Sequence, residues 1–172
     1  EYSNQTIQIC AEGVSVSATV TNTGSAKSSA VAQLYVRKPG RLNGAPEREL
    51  VGFWRSPNLA ASESAQFTIT AALRNLAVYD DAAGRDTSHC WVLEEGSYAL
   101  FLGNDVREAR EIGNVHFDRK VLERLEQAAA PVVAFDRYVR EAGADAVKLE
   151  PVPMSEVDLA GRVTQCLPKS SG

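Results

Sequence analysis

Between Val14 and Val20 the chain alternates apolar and hydroxylated residues without a break. Val14, Val16, Ala18 and Val20 share one parity, and Ser15, Ser17 and Thr19 the other. Successive side chains of a strand point to opposite faces, so this stretch predicts a strand with one dry face and one wet face. It stops at Asn22-Thr23-Gly24-Ser25, a turn cluster in which Gly24 is free to take positive φ.

The same texture repeats along the first two-thirds of the sequence. Ala30 to Val36 is apolar on both parities, which predicts a central strand covered on both sides. Glu49 to Trp54 and Glu63 to Ala71 are further strands, the second with Ala65, Phe67, Ile69 and Ala71 on one parity. Leu76 to Tyr79, Trp91 to Leu93 and Ser97 to Leu102 follow, and Glu111 to Phe117 is expected as an edge strand. Lys38-Pro39-Gly40, Ser56-Pro57-Asn58, Glu95-Gly96 and Gly103-Asn104-Asp105 punctuate them. Seven or eight short strands with regular turns and no interleaved helices predict an all-β, antiparallel β-sandwich.

From Arg119 onward the texture changes. Val121, Leu122, Leu125 and Ala128 are spaced as a helical stripe that ends at Pro131. The pattern of Phe135 to Val139 fits no class, and Ala142 to Asp145 is small. Glu150-Pro151-Val152-Pro153 is extended. Ser155 is placed to cap a helix carrying Val157, Leu159 and Val163, which Pro168 closes. The expectation is a short helical and extended C-terminal tail, too sparsely apolar to fold alone.

A chain of 172 residues builds one ordinary core. Its net charge of −4 argues against a nucleic-acid partner and gives no polybasic signal for lipid. It has no run of about 20 apolar residues, so no membrane-spanning helix is expected. The sequence starts Glu-Tyr-Ser, which suggests a processed or excised piece. Cys10, Cys90 and Cys166 are odd in number and widely spaced. They read as buried, reduced thiols, which suit a cytoplasmic location better than a secreted one.

Catalytic options are thin. His89 and His116 have no partner at metal or triad spacing. The carboxylate pairs Glu47/Glu49, Asp80/Asp81 and Glu94/Glu95 lie beside turns, where solvated carboxylates are ordinary. Asp80, Asp81 and Asp86 around Gly84 lack calcium-loop spacing. No phosphate-cradling loop is present, and no catalytic residue, metal or cofactor is expected. Trp91, with Tyr35, Phe53, Tyr79 and Tyr98, is read as core. Trp54 also reads first as core but, before a charge and a proline, is the candidate surface aromatic for stacking on a sugar.

A series of short motifs then accumulates: Val16-Ser17-Ala18-Thr19-Val20-Thr21-Asn22-Thr23-Gly24, Gln33-Leu34-Tyr35-Val36, and Pro46-Glu47-Arg48-Glu49-Leu50-Val51-Gly52-Phe53. Leu76-Ala77-Val78-Tyr79-Asp80, Glu95-Gly96-Ser97-Tyr98 and Leu102-Gly103-Asn104 complete it. In order and spacing, residues 1–118 resemble the fibronectin type III-like domain of glycoside hydrolase family 3, the β-glucosidase family. The resemblance implies an immunoglobulin/fibronectin type III-like sandwich. It also implies a parent enzyme that hydrolyses terminal β-D-glucosyl or related residues with retention, its nucleophile and acid/base lying in other domains. The implied partners are the catalytic domains of the same parent chain and, through them, the parent's saccharide substrate. The tail, 119–172, resembles members with permuted domain order, in which it is a connector toward a barrel domain. A docking face is expected around Leu122 and Leu125. The alternative is a stand-alone carbohydrate-binding or adhesion sandwich.

Overall fold

The computed structural model describes residues 1–39, 46–80, 86–126, 131, 133–140, 147–152 and 154. Strand β1 (Tyr2–Cys10) forms a hairpin with β2 (Gly13–Thr21). Then come β3 (Val31–Arg37), β4 (Glu49–Arg55) and β5 (Ser64–Ala72). A single helical turn, α1 (Leu73–Leu76), leads into β6 (Val78–Asp80). Next are β7 (Cys90–Leu93), β8 (Gly96–Gly103), β9 (Arg110–Phe117) and β10 (Lys120–Arg124). Strands β11 (Asp136–Arg140) and β12 (Val147–Pro151) close the described chain. No described helix is long and apolar enough to cross a membrane.

One layer is a four-stranded antiparallel sheet in the order β4-β3-β8-β9. The other is the three-stranded sheet β1-β2-β5, and β10-β7-β6 forms a separate three-stranded sheet reached through α1. The alternation in β2 does what its chemistry requires. Val14, Val16, Ala18 and Val20 are buried, while Ser15 and Ser17 face out and exchange hydroxyl contacts with Thr70 and Thr68 across the β2–β5 ladder at 2.9 and 2.8 Å. Facing them across the core are Ala32, Leu34, Val36, Leu100 and Leu102. Each valine or leucine side chain fully removed from water contributes about 1.5–3 kcal/mol, so this seam holds the two layers together. The layers approach closely at Gly52, where an added Cβ would stand 2.5 Å from Ile69 Cγ2.

β3 is the central, doubly covered strand its apolar parities predict, and β9 is an edge. Strand β1 carries no clear alternation, with positive φ at Asn4 and a register shift between Ser3 and Thr6. Gly24 does not need positive φ. Its N–H reaches Asn22 Oδ1 at 3.0 Å instead, so the side chain makes the turn. Positive φ falls instead at Gly13, Gly96 and Gly113, and at Gly13 a Cβ would collide with the Ala71 carbonyl oxygen.

The stripe at Val121, Leu122 and Leu125 is not a helix. Residues 120–124 are strand β10, which pairs with β7 from Lys120↔Leu93 to Arg124↔Cys90, and the sheet therefore runs on past residue 118. Glu, Arg and Leu favour a helix locally, but the backbone groups on the free edge of β7 offer a ladder that a helix would leave unmet. A register shift between Val121 and Glu123 accommodates Leu122, which packs against the core. Phe135 to Val139, unclassifiable by pattern, falls largely in β11, paired with β12. Ser155 to Pro168, Ala142 to Asp145 and Cys166 lie outside the described residues.

Candidate functional site

The carboxylates are spread among local contacts. Glu47 lies 3.4 Å from Arg37, and Glu49 lies 2.9 Å from Lys38. Asp80 is buried and accepts a 2.6 Å hydrogen bond from Thr87, whose hydroxyl is met in turn by Arg119 at 3.1 Å. Glu94 lies 3.9 Å from Arg119, and its main-chain carbonyl accepts the Tyr98 hydroxyl at 2.9 Å. Asp81 and Gly84 lie outside the described residues. Among the described residues no group of three or more His, Cys, Asp or Glu could hold a metal ion.

The histidines and thiols are also apart. His89 sits in the turn before β7 with φ +60, rather than on the strand, and its N–H donates to the Asp80 carbonyl. His116 is largely exposed, 4.0 Å from Asp118. Cys90 is buried, but Cys10 is exposed, contrary to the expectation of buried thiols. It falls at the end of β1, which among the described residues is an edge strand.

Aromatic placement is more informative. Trp91 is half-buried, with Tyr79 5.5 Å away and the Arg74 guanidinium 3.3 Å from its ring centre, a packed cation–π arrangement. Tyr98 is buried, and desolvation pushes its hydroxyl pKa up to about 12. Trp54 points inward from β4 and stacks on Phe67 at 4.9 Å, with 13° between the planes. One face of its ring is thus spent on packing. The indole also borders an open groove of about 580 Å³ lined by Asn4, Thr6, Ser17, Gln66 and Thr68.

The outer face of the four-stranded sheet carries a second apolar cluster: Tyr35, Ala99, Phe101 and Ala109. Arg48 lies over the Phe101 ring at 4.3 Å and donates to the carbonyls of Val106 and Ala109. Arg37 adds a second cation at 5.4 Å and reaches Glu111 at 3.6 Å. The Tyr35 hydroxyl donates to Gln33 Oε1, and its pKa is raised by burial and by Asp105. Asp105 itself is held below the usual carboxylate range by the N–H groups of Glu108 and Arg107. Register places Leu50 opposite Tyr35 and Phe53 opposite Gln33, on this same face, although Phe53 reads as core by pattern. Phe53 is in fact 69% exposed. The sequence does not reveal this face, because a register shift near Leu50 and Val51 turns Val51 inward and breaks the alternation.

Residues 30–106 match the fibronectin type III-like domain family. Over 158 residues the chain is 40% identical to a β-glucosidase of Ruminococcus albus, covering 91% of this chain and 16% of that protein. The structure of a β-glucosidase from Paenibacillus barengoltzii superposes with a TM-score of 0.82 at 30% identity, over 99% of this chain and 20% of that one. β-Glucosidase 3B from Thermotoga neapolitana shares the fold, with a TM-score of 0.63 at 24% identity over 72% of this chain and 16% of that one. The chain therefore spans about a sixth to a fifth of the length of these relatives.

Proposed function

Because the chain carries a fibronectin type III-like domain similar to those of family 3 β-glucosidases, we propose that it is the non-catalytic scaffolding module of a larger glycoside hydrolase. The parent would hydrolyse terminal β-D-glucosyl or related O-glycosidic bonds. The module would pack between its catalytic domains and hold them in register. One observation carries the reading: the similar proteins are β-glucosidases in which this chain accounts for only 16–20% of the length. The local engagement of the carboxylates supports it, since a retaining glycosidase needs two carboxyl groups about 5 Å apart across a sugar.

The role fits the mechanics of the fold. A two-layer core packed at interior density transmits position rather than flexing, as a spacer between two domains requires. The test is hydrolysis of nitrophenyl β-glucoside by the 172-residue chain and by the parent polypeptide. Turnover is expected only from the parent. Turnover by the chain alone, abolished by changing one of its carboxylates, would refute the reading.

A second reading draws on Trp54. Its groove is lined by hydroxyl and amide groups of the kind that bind sugars, so a stand-alone carbohydrate-binding sandwich is the competitor. Calorimetric titration with cello-oligosaccharides separates the two. No heat is expected, because Phe67 already occupies one face of the indole. Saturable binding lost in Trp54→Ala would favour the competitor.

A further inference from the structure

The outer face of the four-stranded sheet exposes large apolar side chains among Gln33, Arg37 and Arg55. Leu50 is 49% exposed, Phe53 69% and Val31 37%, and all three lie on the face of Tyr35 and Phe101. Val31 sits diagonally across from Phe53, so the three side chains form one stripe along β3 and β4. Val106, 43% exposed, lies in the neighbouring loop whose carbonyl Arg48 holds. Among the described residues β4 is also an edge strand, with one row of backbone groups lacking a ladder neighbour. An exposed apolar edge strand is a pairing hazard that folded proteins normally cover.

We infer that this face is where the rest of the parent polypeptide seats, with Phe53 as the central anchor and Arg37, Glu47 and Glu111 as a charged rim. The inference rests on the reading of the chain as a module of a longer glycosidase and says which surface of the module does the work. The occupant follows from length. In the relatives this domain is accompanied by at least four times its own length of polypeptide, enough to bury an interface of ordinary size. The composition also fits: an aromatic anchor amid aliphatics, charges at the margin and a rigid floor beneath. The floor is built from Phe101 under its two guanidinium groups and from Tyr35 fixed to Gln33. Of the docking face expected at Leu122 and Leu125, Leu122 instead packs against the core from β10, and only Leu125, just beyond that strand, is exposed.

Hydrogen exchange in residues 49–55 tests this, measured in the 172-residue chain and in the parent. Docking should slow exchange in β4 by roughly tenfold or more in the parent. Phe53→Asp in the parent should remove that slowing, and Phe53→Leu should keep most of it. In the 172-residue chain Phe53→Asp should leave the unfolding midpoint in place. Equal exchange in chain and parent would overturn the inference. So would a Phe53→Asp chain that no longer unfolds cooperatively, which would make Phe53 a support of the sandwich itself. Concentration-dependent protection of β4 in the isolated chain would assign the face to a second copy and also overturn it. Glycosidase assay of the same parent separates the two failures. A parent without β-glucosidase activity but with protected β4 sinks the functional reading and upholds the face. An active parent with unprotected β4 does the reverse.

Discussion

In the sandwich, Leu34, Val36 and Leu100 are fully buried between two sheets, whereas in the β11–β12 ribbon Tyr138 and Leu149 stand opposite each other at 78% and 58% exposure. Both regions are antiparallel and both put apolar residues on one face. Among the described residues the difference is a second layer. β2 and β5 lay their valines, Phe67 and Ile69 against β3, β4 and β8. The ribbon turns Tyr138, Val147 and Leu149 toward solvent and keeps the Lys148–Glu150 ion pair on its other face. Backbone pairing alone does not stabilise two strands in water, so among the described residues the packing that keeps strands folded lies in the sandwich.

The sharpest way to probe the contrast is to remove packing from the sandwich. Leu34→Ala should cost about 2–5 kcal/mol, since the side chain is fully enclosed and the surrounding sheets cannot close around the void. Chemical denaturation monitored by tryptophan fluorescence would measure it. A cost below about 1 kcal/mol would mean that the core is looser than its burial indicates.

The sandwich half of this contrast was legible because its signal is local. Alternation in β2 and β5 and the double apolar parity of β3 are written in neighbouring residues. What stayed hidden depends on partners distant in sequence. β10 is a strand because β7 presents a free edge, although residues 120–124 alone read as helix. Phe53 points outward because a register shift displaces β4 by one residue. The same holds at the candidate site. Trp54 could be singled out by its flanks, but its stacking partner Phe67 is on another strand in the other layer.

Alkaline titration gives the next largest effect. The Tyr98 hydroxyl is raised from 10.0 to about 12, mainly by burial, against an ordinary value in the unfolded chain. Above pH 10 the unfolded state releases this proton while the folded state keeps it. Stability is therefore fully present below pH 10 and falls as pH rises through 12, by up to about 2–3 kcal/mol. Tyr98→Phe should flatten that slope while losing the hydrogen bond to the Glu94 carbonyl. An unchanged slope in the variant would place the titrating group elsewhere, Tyr35 or Tyr2 being the others raised by burial.

Smaller still is the pair that ties the loop before β7 to β6. Thr87→Val removes the donor to the buried Asp80 carboxylate and should cost about 1–3 kcal/mol. The same change also takes an acceptor from Arg119, so Arg119→Ala should cost less in the Thr87→Val background than alone. Additive losses in that double-mutant cycle would show that the two contacts act independently.

The smallest expected effect lies in the ribbon and bears most directly on the comparison. Tyr138→Ser and Leu149→Ser remove exposed apolar surface and no enclosed packing, so each should shift the unfolding midpoint of this chain by no more than about 0.5 kcal/mol. Hydrogen exchange in residues 136–140 should also be far faster than in β3, because opening the ribbon leaves the sandwich core closed. If either serine substitution instead cost as much as Leu34→Ala, the ribbon would belong to the cooperative unit. Its apolar face would then be packed in the folded chain, and the lack of a second layer could not be what separates the two regions.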